Sequence, residues 1–248
     1  MSEAEVHRAL AWGVIAIGVV TFLVLGFVSA PYGRHARSGW GPTLPSRLGW
    51  IAMESPAVLV FLAIYLLGDH AFSAAPLALL FLWQLHYVNR AFVFPLRMRS
   101  DRRMPVAVVA MAIVFNLVNA YLNARQISAF GRYDAGWLLD PRFLIGAAIF
   151  LVGRSINLRA DRTLLELRGG GYRIPQGPLF RWVSCPNYLG EIVEWLGWAV
   201  ATWSLAGLSF AVFTFANLAP RAISHHRWYR ERFPDYPRER KALIPFLW

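Results

Sequence analysis

The chain has 248 residues, 57% hydrophobic and 15% aromatic, with a mean hydropathy of +0.41; this composition excludes an ordinary soluble domain and indicates a helical protein with several membrane spans. The formal net charge of +11 does not indicate nucleic acid as a partner, because no DNA-binding motif is present and basic residues beside apolar segments commonly set membrane topology and meet anionic lipid headgroups or cofactor phosphates. A single cysteine, Cys185, excludes an intrachain disulfide.

Seven apolar segments follow one another along the chain, and a membrane span needs about 20 mostly apolar residues. They cover residues 9–30, 48–67, 71–94, 105–122, 142–155, 187–203 and 205–224. The first lacks a small-residue cleavage site and is predicted to be a span rather than a removed signal. Pro105 suits the first turn of the fourth helix, and the fifth helix is expected to continue through INLRADRTLLELR. We therefore predict one all-α membrane domain with seven transmembrane helices.

The basic residues predict the orientation of this domain. With seven spans, nearly all of the 25 Lys and Arg residues fall on one side of the membrane, and six or eight spans would scramble that asymmetry. Basic loops stay on the cytosolic side. The N-terminus is accordingly predicted outside and the C-terminus in the cytosol.

Polar side chains recur at the cytosolic ends of the predicted helices, where intramembrane charges suggest function by default. The set comprises Glu54, Tyr87, Asn157, Asp161, Arg168, Asn187, Glu191, Glu194, Arg221, His225 and Tyr229. Spacings of three, four and seven residues place those of each helix on one face. We predict a polar cavity that takes a large polar ligand from the cytosol and a lipid-like molecule from the bilayer. The alternative for the sixth helix is a solvated acidic stripe on a soluble amphipathic helix.

Glu54 and Tyr87 have a chemical interpretation. A carboxylic acid in an apolar setting keeps its proton near neutral pH. Beside a phenol it could polarise a carbonyl through two hydrogen bonds, as an oxyanion hole does, and so activate a conjugated enone toward hydride. The alternative is equally open: Glu54 pairs with an arginine, and Tyr87 belongs to the aromatic belt at the membrane interface.

Familiar cofactor and metal motifs are missing from the sequence. No GxGxxG follows a strand, which argues against a Rossmann site. The glycines of residues 169–171 are only a weak indication of a phosphate loop. His225 and His226 lack a third ligand at metal spacing, so no metal is predicted. Arginine-rich loops can bind phosphates through paired hydrogen bonds.

Four long segments carry a family resemblance. They read GRSINLRADRTLLELR, GYRIPQGPLF, NYLGEIVEWLGWAVATWSL and RAISHHRWYRERFPDYPRERKALIPF. They resemble the steroid 5α-reductases (3-oxo-5α-steroid 4-dehydrogenases), densely from residue 84 to the C-terminus and more thinly over 50–56. The resemblance implies a seven-helix membrane fold and NADPH-dependent reduction of the Δ4 double bond of 3-oxo-steroids. It also divides the domain into substrate-side helices, 1–104, and a cofactor-binding region, 105–248.

The resemblance implies roles for particular residues. Glu54 and Tyr87 match the pair that binds the 3-keto group while hydride reaches C5 and a proton reaches C4. The residues that match the NADPH site are Asn157, Asp161, Arg168, Tyr172, Arg173, Asn187, Glu191, Arg221, His225 and Tyr229. Met53 stands where the family carries glutamine, which affects substrate preference more than chemistry. The loop of residues 97–103 does not distinguish Arg102 from Arg103 as a phosphate ligand.

Three other functions stay open at this point. One is reduction of another enone or enoyl lipid by the same superfamily. A second is an integral-membrane methyltransferase that uses S-adenosylmethionine, and a third is a transporter whose intramembrane carboxylates carry protons. The excess of arginine over lysine favours a bacterial source, so the expected location is a bacterial inner membrane, or the endoplasmic reticulum membrane in a eukaryote. The predicted partners are membrane lipids and a lipophilic enone, a 3-oxo-Δ4-steroid that enters from the bilayer.

Overall fold

The structure is a computed structural model that describes residues 1–98, 102–167 and 171–247. Within these ranges the α-helices are α1 (Glu3–Phe27), α2 (Ser46–Leu66), α3 (Ala74–Val88), α4 (Phe94–Arg97), α5 (Val106–Arg125), α6 (Pro141–Glu166), α7 (Pro186–Thr202) and α8 (Leu205–Arg232). A π-helical stretch, Asn89–Val93, joins α3 to α4, and another, Gln126–Phe130, extends α5. Two short strands, β1 (Thr43–Pro45) and β2 (Arg103–Pro105), pair antiparallel.

The chain is an all-α integral membrane protein. Among the described residues, six helical stretches are long and apolar enough to cross a membrane: Glu3–Phe27, Ser46–Leu66, Ala74–Arg97, Val106–Phe130, Pro141–Glu166 and Leu205–Arg232. The remaining long helix, α7, has 17 residues and is shorter than these. The count of seven spans and the orientation of the termini therefore remain predictions.

The helix ends differ from the apolar segments of the sequence. The first helix begins at Glu3 rather than near residue 9, because Ser2 and Glu5 form a capping box there. Pro105 precedes α5 as its cap and is not its first residue. The last helix continues through Arg232, since a basic helix can leave the bilayer without ending. The expected extension of the fifth helix is confirmed by α6, which is unbroken to Glu166.

The β-ribbon aligns α2 with α5. Thr43 pairs with Pro105, and each strand leads directly into a helix. The two helices therefore start near each other, and they run parallel because Gly49 faces Val109 while Gly68, just beyond α2, faces Ser128. A methyl group added at Gly49, near the start of α2, would meet the side chain of Met104 at 2.5 Å. Further along, Asn116 of α5 donates to the carbonyl of Met53.

Glycines allow α6 and α7 to pack backbone to backbone. Two glycines on each helix are seven residues apart and face the partner helix, and a Cβ at any of them would lie 2.2–2.5 Å from a backbone nitrogen across the interface. These are Gly146 and Gly153 on α6 and Gly190 and Gly197 on α7. Small residues permit such close approach between membrane helices. The seam runs antiparallel and ends at the polar side chains that follow Gly153 on α6.

Aromatic rings fill the middle of the bundle. Trp83 of α3 stacks on Phe61 of α2 at 4.3 Å between ring centroids, and Trp195 of α7 lies 4.2 Å from Phe210 of α8. The indole nitrogen of Trp83 is satisfied, since Nε1 donates to the Ala57 carbonyl at 2.7 Å. This core joins α2, α3, α7 and α8 directly beneath the polar end of the bundle.

Candidate active site

Five polar residues from three helical segments form a connected network, which we call the acid–amide cluster: Arg90, Asn157, Asp161, Asn187 and Glu191. Arg90 Nη1 donates to Asp161 Oδ2 at 3.1 Å, and its Nη2 lies 3.5 Å from Glu191 Oε2. Asn187 Nδ2 donates to Asp161 Oδ1 at 3.2 Å. Asn157 Nδ2 donates to the Asn187 carbonyl at 3.0 Å and lies 3.4 Å from Glu191 Oε2. The glycine seam brings these α6 and α7 side chains together.

Arg90 is the member that sequence reasoning missed as a site residue. It lies in the π-helical stretch Asn89–Val93, and such wide turns are frequent at functional sites. Its guanidinium lies over the rings of Trp50, at 4.7 Å, and Phe94, at 5.0 Å. Trp50 Nε1 also donates to the Arg90 carbonyl at 3.1 Å. The only signal in the sequence was a cation inside an apolar segment.

Glu54 and Tyr87 lie beside the acid–amide cluster. Both interact electrostatically with Arg90 and Glu191, and with each other. Tyr87 is 4% exposed and packs against the rings of Trp83 and Trp195. This burial contradicts the interpretation of Tyr87 as an interfacial belt residue.

Among the described residues, Glu54 does not form the ion pair that the alternative required. Arg90, the cation that interacts with it most strongly, pairs with Asp161 and Glu191 instead. In the described part of the chain, the hydrogen bond of the Glu54 side chain is the one from Asn116 Nδ2, at 3.5 Å from Oε2. One carboxyl oxygen therefore remains available to a ligand.

A second group, which we call the basic–aromatic cluster, lies where α1, α7 and α8 meet the loops. It consists of Arg34, His35, Arg102, Tyr172, Tyr188, Arg221, His225, Trp228 and Tyr229. Arg221 Nη2 donates to Tyr188 Oη at 3.0 Å, and Tyr188 Oη lies 3.0 Å from His225 Nε2. His225 Nδ1 is 3.0 Å from Nε2 of His35. The cluster thus joins three sequence-predicted cofactor residues of α8, namely Arg221, His225 and Tyr229, to the loop after α1.

Arg34 is the second residue that sequence reasoning missed. Its guanidinium lies 4.5 Å from the ring centroid of Tyr229 and 5.0 Å from that of Trp228. Burial opposes its charge, but Tyr229 and Cys185 raise the pKa of the guanidinium overall. Its Nη1 is buried and has no hydrogen-bond partner in the described part of the chain. A buried cationic donor without an acceptor fits an anionic ligand.

The surroundings of His35 oppose its protonation, which would add positive charge to an already cationic site. Burial, with the nearby guanidinium groups of Arg34 and Arg221, lowers the pKa of His35. His35 is therefore neutral at physiological pH. The positive charge of the cluster resides on its arginines.

Arg102 and Arg103, two candidate phosphate ligands in the same loop, have different partners in the structure. Arg102 donates to the hydroxyl of Tyr172, and its guanidinium lies 4.5 Å from the ring centroid. Arg103 Nε donates to Thr43 Oγ1 at 2.9 Å within the β-ribbon. Arg102 accordingly belongs to the basic–aromatic cluster, whereas Arg103 fastens the ribbon.

Arg173 is exposed and joins neither cluster. The prediction for Arg168 falls outside the described residues. Across 1–98, 102–167 and 171–247, no three His, Cys, Asp or Glu side chains meet as a metal-ligand set.

Glu194 shares a helix face with Glu191 in the sequence but has different partners in the structure. It is fully buried, and its Oε1 lies 2.9 Å from His86 Nδ1 and 3.6 Å from Arg154 Nη1. The ring of His86 packs against Tyr87 at 4.9 Å between centroids. Glu194 therefore supports the wall behind Tyr87 rather than the acid–amide cluster.

Known proteins resemble this chain over nearly its whole length. The family model described as 3-oxo-5-alpha-steroid 4-dehydrogenase matches residues 102–248. "Steroid 5-alpha-reductase DET2" of Gossypium hirsutum is 46% identical over 241 residues, which cover 94% of this chain and 93% of the relative. "3-oxo-5-alpha-steroid 4-dehydrogenase 1" of Bos taurus is 44% identical over 259 residues, covering 100% and 99%, and that of Homo sapiens is 39% identical over 252 residues, covering 100% and 97%. The chain belongs to the 3-oxo-5-alpha-steroid 4-dehydrogenase, or steroid 5α-reductase, family of membrane oxidoreductases.

Proposed function

We propose that the chain reduces the Δ4 double bond of 3-oxo-steroids to 5α-3-oxo-steroids with NADPH as the reductant. The observation that carries the proposal is the position of Glu54 and Tyr87. Glu54 is one helical turn from Trp50 and Tyr87 is one turn from Arg90, and the Arg90 guanidinium lies 4.7 Å from the Trp50 ring. The names of the relatives support the steroid substrate. The apolar helices around the site suit a substrate that reaches it from the bilayer.

The cationic residues of the basic–aromatic cluster fit the phosphates of NADPH. Neither Arg34 nor Arg221 pairs with a described carboxylate, and Arg34 Nη1 is a buried donor without an acceptor. The rings of Tyr172, Trp228 and Tyr229 offer faces for a nucleotide base or for the arginines that hold phosphate. Asn157, Asn187 and Glu191 of the acid–amide cluster supply amide and carboxylate groups for the nicotinamide end.

In the proposed reaction, Glu54 and Tyr87 act on the substrate carbonyl, and two tryptophans keep water away from it. NADPH, when bound, supplies a hydride to C5 of the enone. Glu54 and Tyr87 donate hydrogen bonds to the 3-keto oxygen and stabilise the negative charge that develops there. A proton then reaches C4, so the substrate gains two hydrogens in total. Trp83 and Trp195 exclude water beneath Tyr87, which strengthens these hydrogen bonds.

The same proposal assigns the membrane arrangement. Seven spans with a cytosolic C-terminus would expose the basic–aromatic cluster to cytosolic NADPH. Residues 1–104 then supply the helices for the steroid, and 105–248 supply most of the cofactor site. The protein would reside in a bacterial inner membrane, or in the endoplasmic reticulum membrane of a eukaryote.

The direct test is reduction of a Δ4-3-oxo-steroid by the purified full-length protein in lipid nanodiscs with NADPH. We expect a product heavier by two hydrogens and equimolar NADPH oxidation. Glu54→Gln and Tyr87→Phe should each lower kcat by about 100-fold or more, because the first replaces an acidic O–H donor with a much weaker amide donor and the second removes the phenol donor to the developing oxyanion. NADPH affinity should stay near the wild-type value in both variants.

Two substitutions elsewhere serve as matched controls. Tyr133→Phe removes a buried phenol that donates to the Thr202 carbonyl at 2.8 Å, and Glu166→Gln changes an exposed carboxylate paired with Arg162. Both should leave kcat unchanged. Full activity in Glu54→Gln and Tyr87→Phe, or binding of S-adenosylmethionine in place of NADPH, would refute the proposed function.

A further inference from the structure

Asn116 touches the proposed acid, yet the reaction scheme gives it no task. It lies on α5, is 5% exposed, and faces α2 across the parallel helix pair. Its Nδ2 donates to the carbonyl oxygen of Met53 at 2.6 Å and lies 3.5 Å from Glu54 Oε2. The amide therefore bridges the backbone of α2 to the side chain of the next residue.

The Met53 carbonyl fixes the orientation of the Asn116 amide. A backbone carbonyl can only accept a hydrogen bond, so the amide atom 2.6 Å from it must be the NH₂ group. That group has a second hydrogen, and Glu54 Oε2 is the acceptor within reach of it. The oxygen that accepts from an amide is the carbonyl oxygen of a protonated carboxyl group. The proton of Glu54 is then on Oε1.

The backbone around Glu54 lacks one helical hydrogen bond. Pro56 lies inside α2 and has no N–H, so the carbonyl of Ala52 loses its usual helical donor. Ser55 Oγ replaces that donor at 3.3 Å. The turn that carries Glu54 is thus held partly by side chains, and Asn116 is the one that comes from another helix.

We propose that Asn116 is a positioning residue that holds Oε2 of Glu54 as a hydrogen-bond acceptor and leaves the proton on Oε1, aimed at the carbonyl of the bound enone. This inference rests on the proposed function for the identity of that carbonyl. Without the amide, the carboxyl group can rotate and can hold its proton on either oxygen. The productive arrangement is then occupied for only part of the time, and the rate of hydride transfer falls.

An infrared measurement tests the contact whether or not the protein reduces steroids. The C=O stretch of a protonated Glu54 is isolated as the difference between wild type and Glu54→Gln in nanodiscs. We expect Asn116→Leu to shift this band to higher frequency, because the hydrogen bond to Oε2 is lost. Absence of the band in the wild type, or an unshifted band in Asn116→Leu, overturns the inference.

A rate measurement tests the consequence. We expect Asn116→Leu to lower the single-turnover rate of steroid reduction about 10-fold, with NADPH affinity unchanged. In a Glu54→Ala background the same substitution should change the rate by less than roughly 2-fold, because the group that Asn116 orients is gone. Equal losses in both backgrounds overturn the inference, since they indicate a general structural role.

Two further variants distinguish the loss of this contact from a folding defect. Asn119→Leu replaces a buried amide one turn along α5 that hydrogen-bonds with Asn123 rather than Glu54, and it should leave the rate unchanged. If Asn116→Leu does not fold, Asn116→Ser retains a small polar side chain too short to reach Oε2, and the same band shift and rate loss are expected. A wild-type rate of zero would refute the proposed function, while the infrared band would still decide the role of Asn116.

Discussion

The two polar clusters differ in how their charges are balanced. In the acid–amide cluster, Arg90 is matched by Asp161 and Glu191, the amide of Asn187 donates to the second Asp161 oxygen, and that of Asn157 shares Glu191 Oε2 with Arg90. In the basic–aromatic cluster, Arg34 and Arg221 have rings and hydroxyl groups around them but no ion pair with a described carboxylate. The cation of the first cluster is therefore paired with carboxylates, whereas the arginines of the second remain available to an anionic ligand.

This difference in charge balance gives the two clusters different roles: the acid–amide cluster holds side chains in position, and the basic–aromatic cluster attracts an anionic ligand. A fully paired buried network is rigid, and removing one member leaves the others without partners. A cationic cluster that lacks an anion gains its missing interactions only when a phosphate arrives. Substitutions in the first cluster should therefore damage the folded protein, whereas those in the second should damage ligand binding and spare the fold.

The largest effect is expected for Arg90→Met. It would leave Asp161 and Glu191, whose side chains are 10% and 16% exposed, without a cation. We expect the free energy of unfolding to fall by about 3–5 kcal/mol, measured by thermal unfolding of the cofactor-free protein in detergent.

The control for Arg90→Met is Arg162→Met, which removes the exposed pair with Glu166. An exposed ion pair contributes roughly 0–1 kcal/mol, so the control should unfold almost as the wild type does. Equal stability of Arg90→Met and Arg162→Met would show that the acid–amide cluster is not the self-supporting network described above.

A smaller effect, confined to binding, is expected for Arg34→Leu. The side chain has no ion pair with a described carboxylate to lose, so cofactor-free stability should change by less than about 1 kcal/mol. NADPH affinity should fall about 10–100-fold, because charge-assisted hydrogen bonds to phosphate are lost. Titration of the intrinsic tryptophan fluorescence measures this affinity.

Arg37→Leu is the matched control, since Arg37 is an exposed arginine in the same loop that donates to the Ser29 carbonyl at 3.0 Å. It should bind NADPH as the wild type does. A large loss of stability in Arg34→Leu with unchanged NADPH affinity would remove the distinction between the two clusters.

The sequence predicted the members of each cluster that share a helix. Asn157 with Asp161, and Arg221 with His225 and Tyr229, are neighbours because helical spacing is a local property. Arg34 and Arg90 were missed because their importance comes from other segments: α8 rings surround Arg34, and α6 and α7 carboxylates surround Arg90. Spacing alone could not reveal either.

The same limit explains how Glu191 and Glu194 separate. Helical spacing placed them on one face, but they lie three residues apart, and the close α6–α7 seam gives that face two sets of neighbours. Glu191 reaches Asn157 and Arg90, while Glu194 is turned toward His86 and Arg154. Which neighbour each meets depends on the packing of α3 against α7. Hydropathy likewise located the long helices but not their ends, since α8 continues beyond its apolar residues to Arg232.

The smallest effect is expected for Asn187→Ala, which tests whether the acid–amide cluster also binds the cofactor. The substitution removes one hydrogen bond to Asp161 Oδ1, at 3.2 Å, and leaves the Arg90 ion pairs in place. A lost hydrogen bond to a charged group is worth about 1.5–3 kcal/mol, and partial exposure of Asn187 favours the lower end. We expect NADPH affinity to fall about 10-fold and steroid affinity to stay constant, as measured by separate equilibrium titrations. Thr163→Ala, which removes an exposed hydroxyl bonded to the Arg159 carbonyl, should alter neither. Unchanged NADPH affinity in Asn187→Ala would restrict the acid–amide cluster to a structural role and leave cofactor binding to the basic–aromatic cluster.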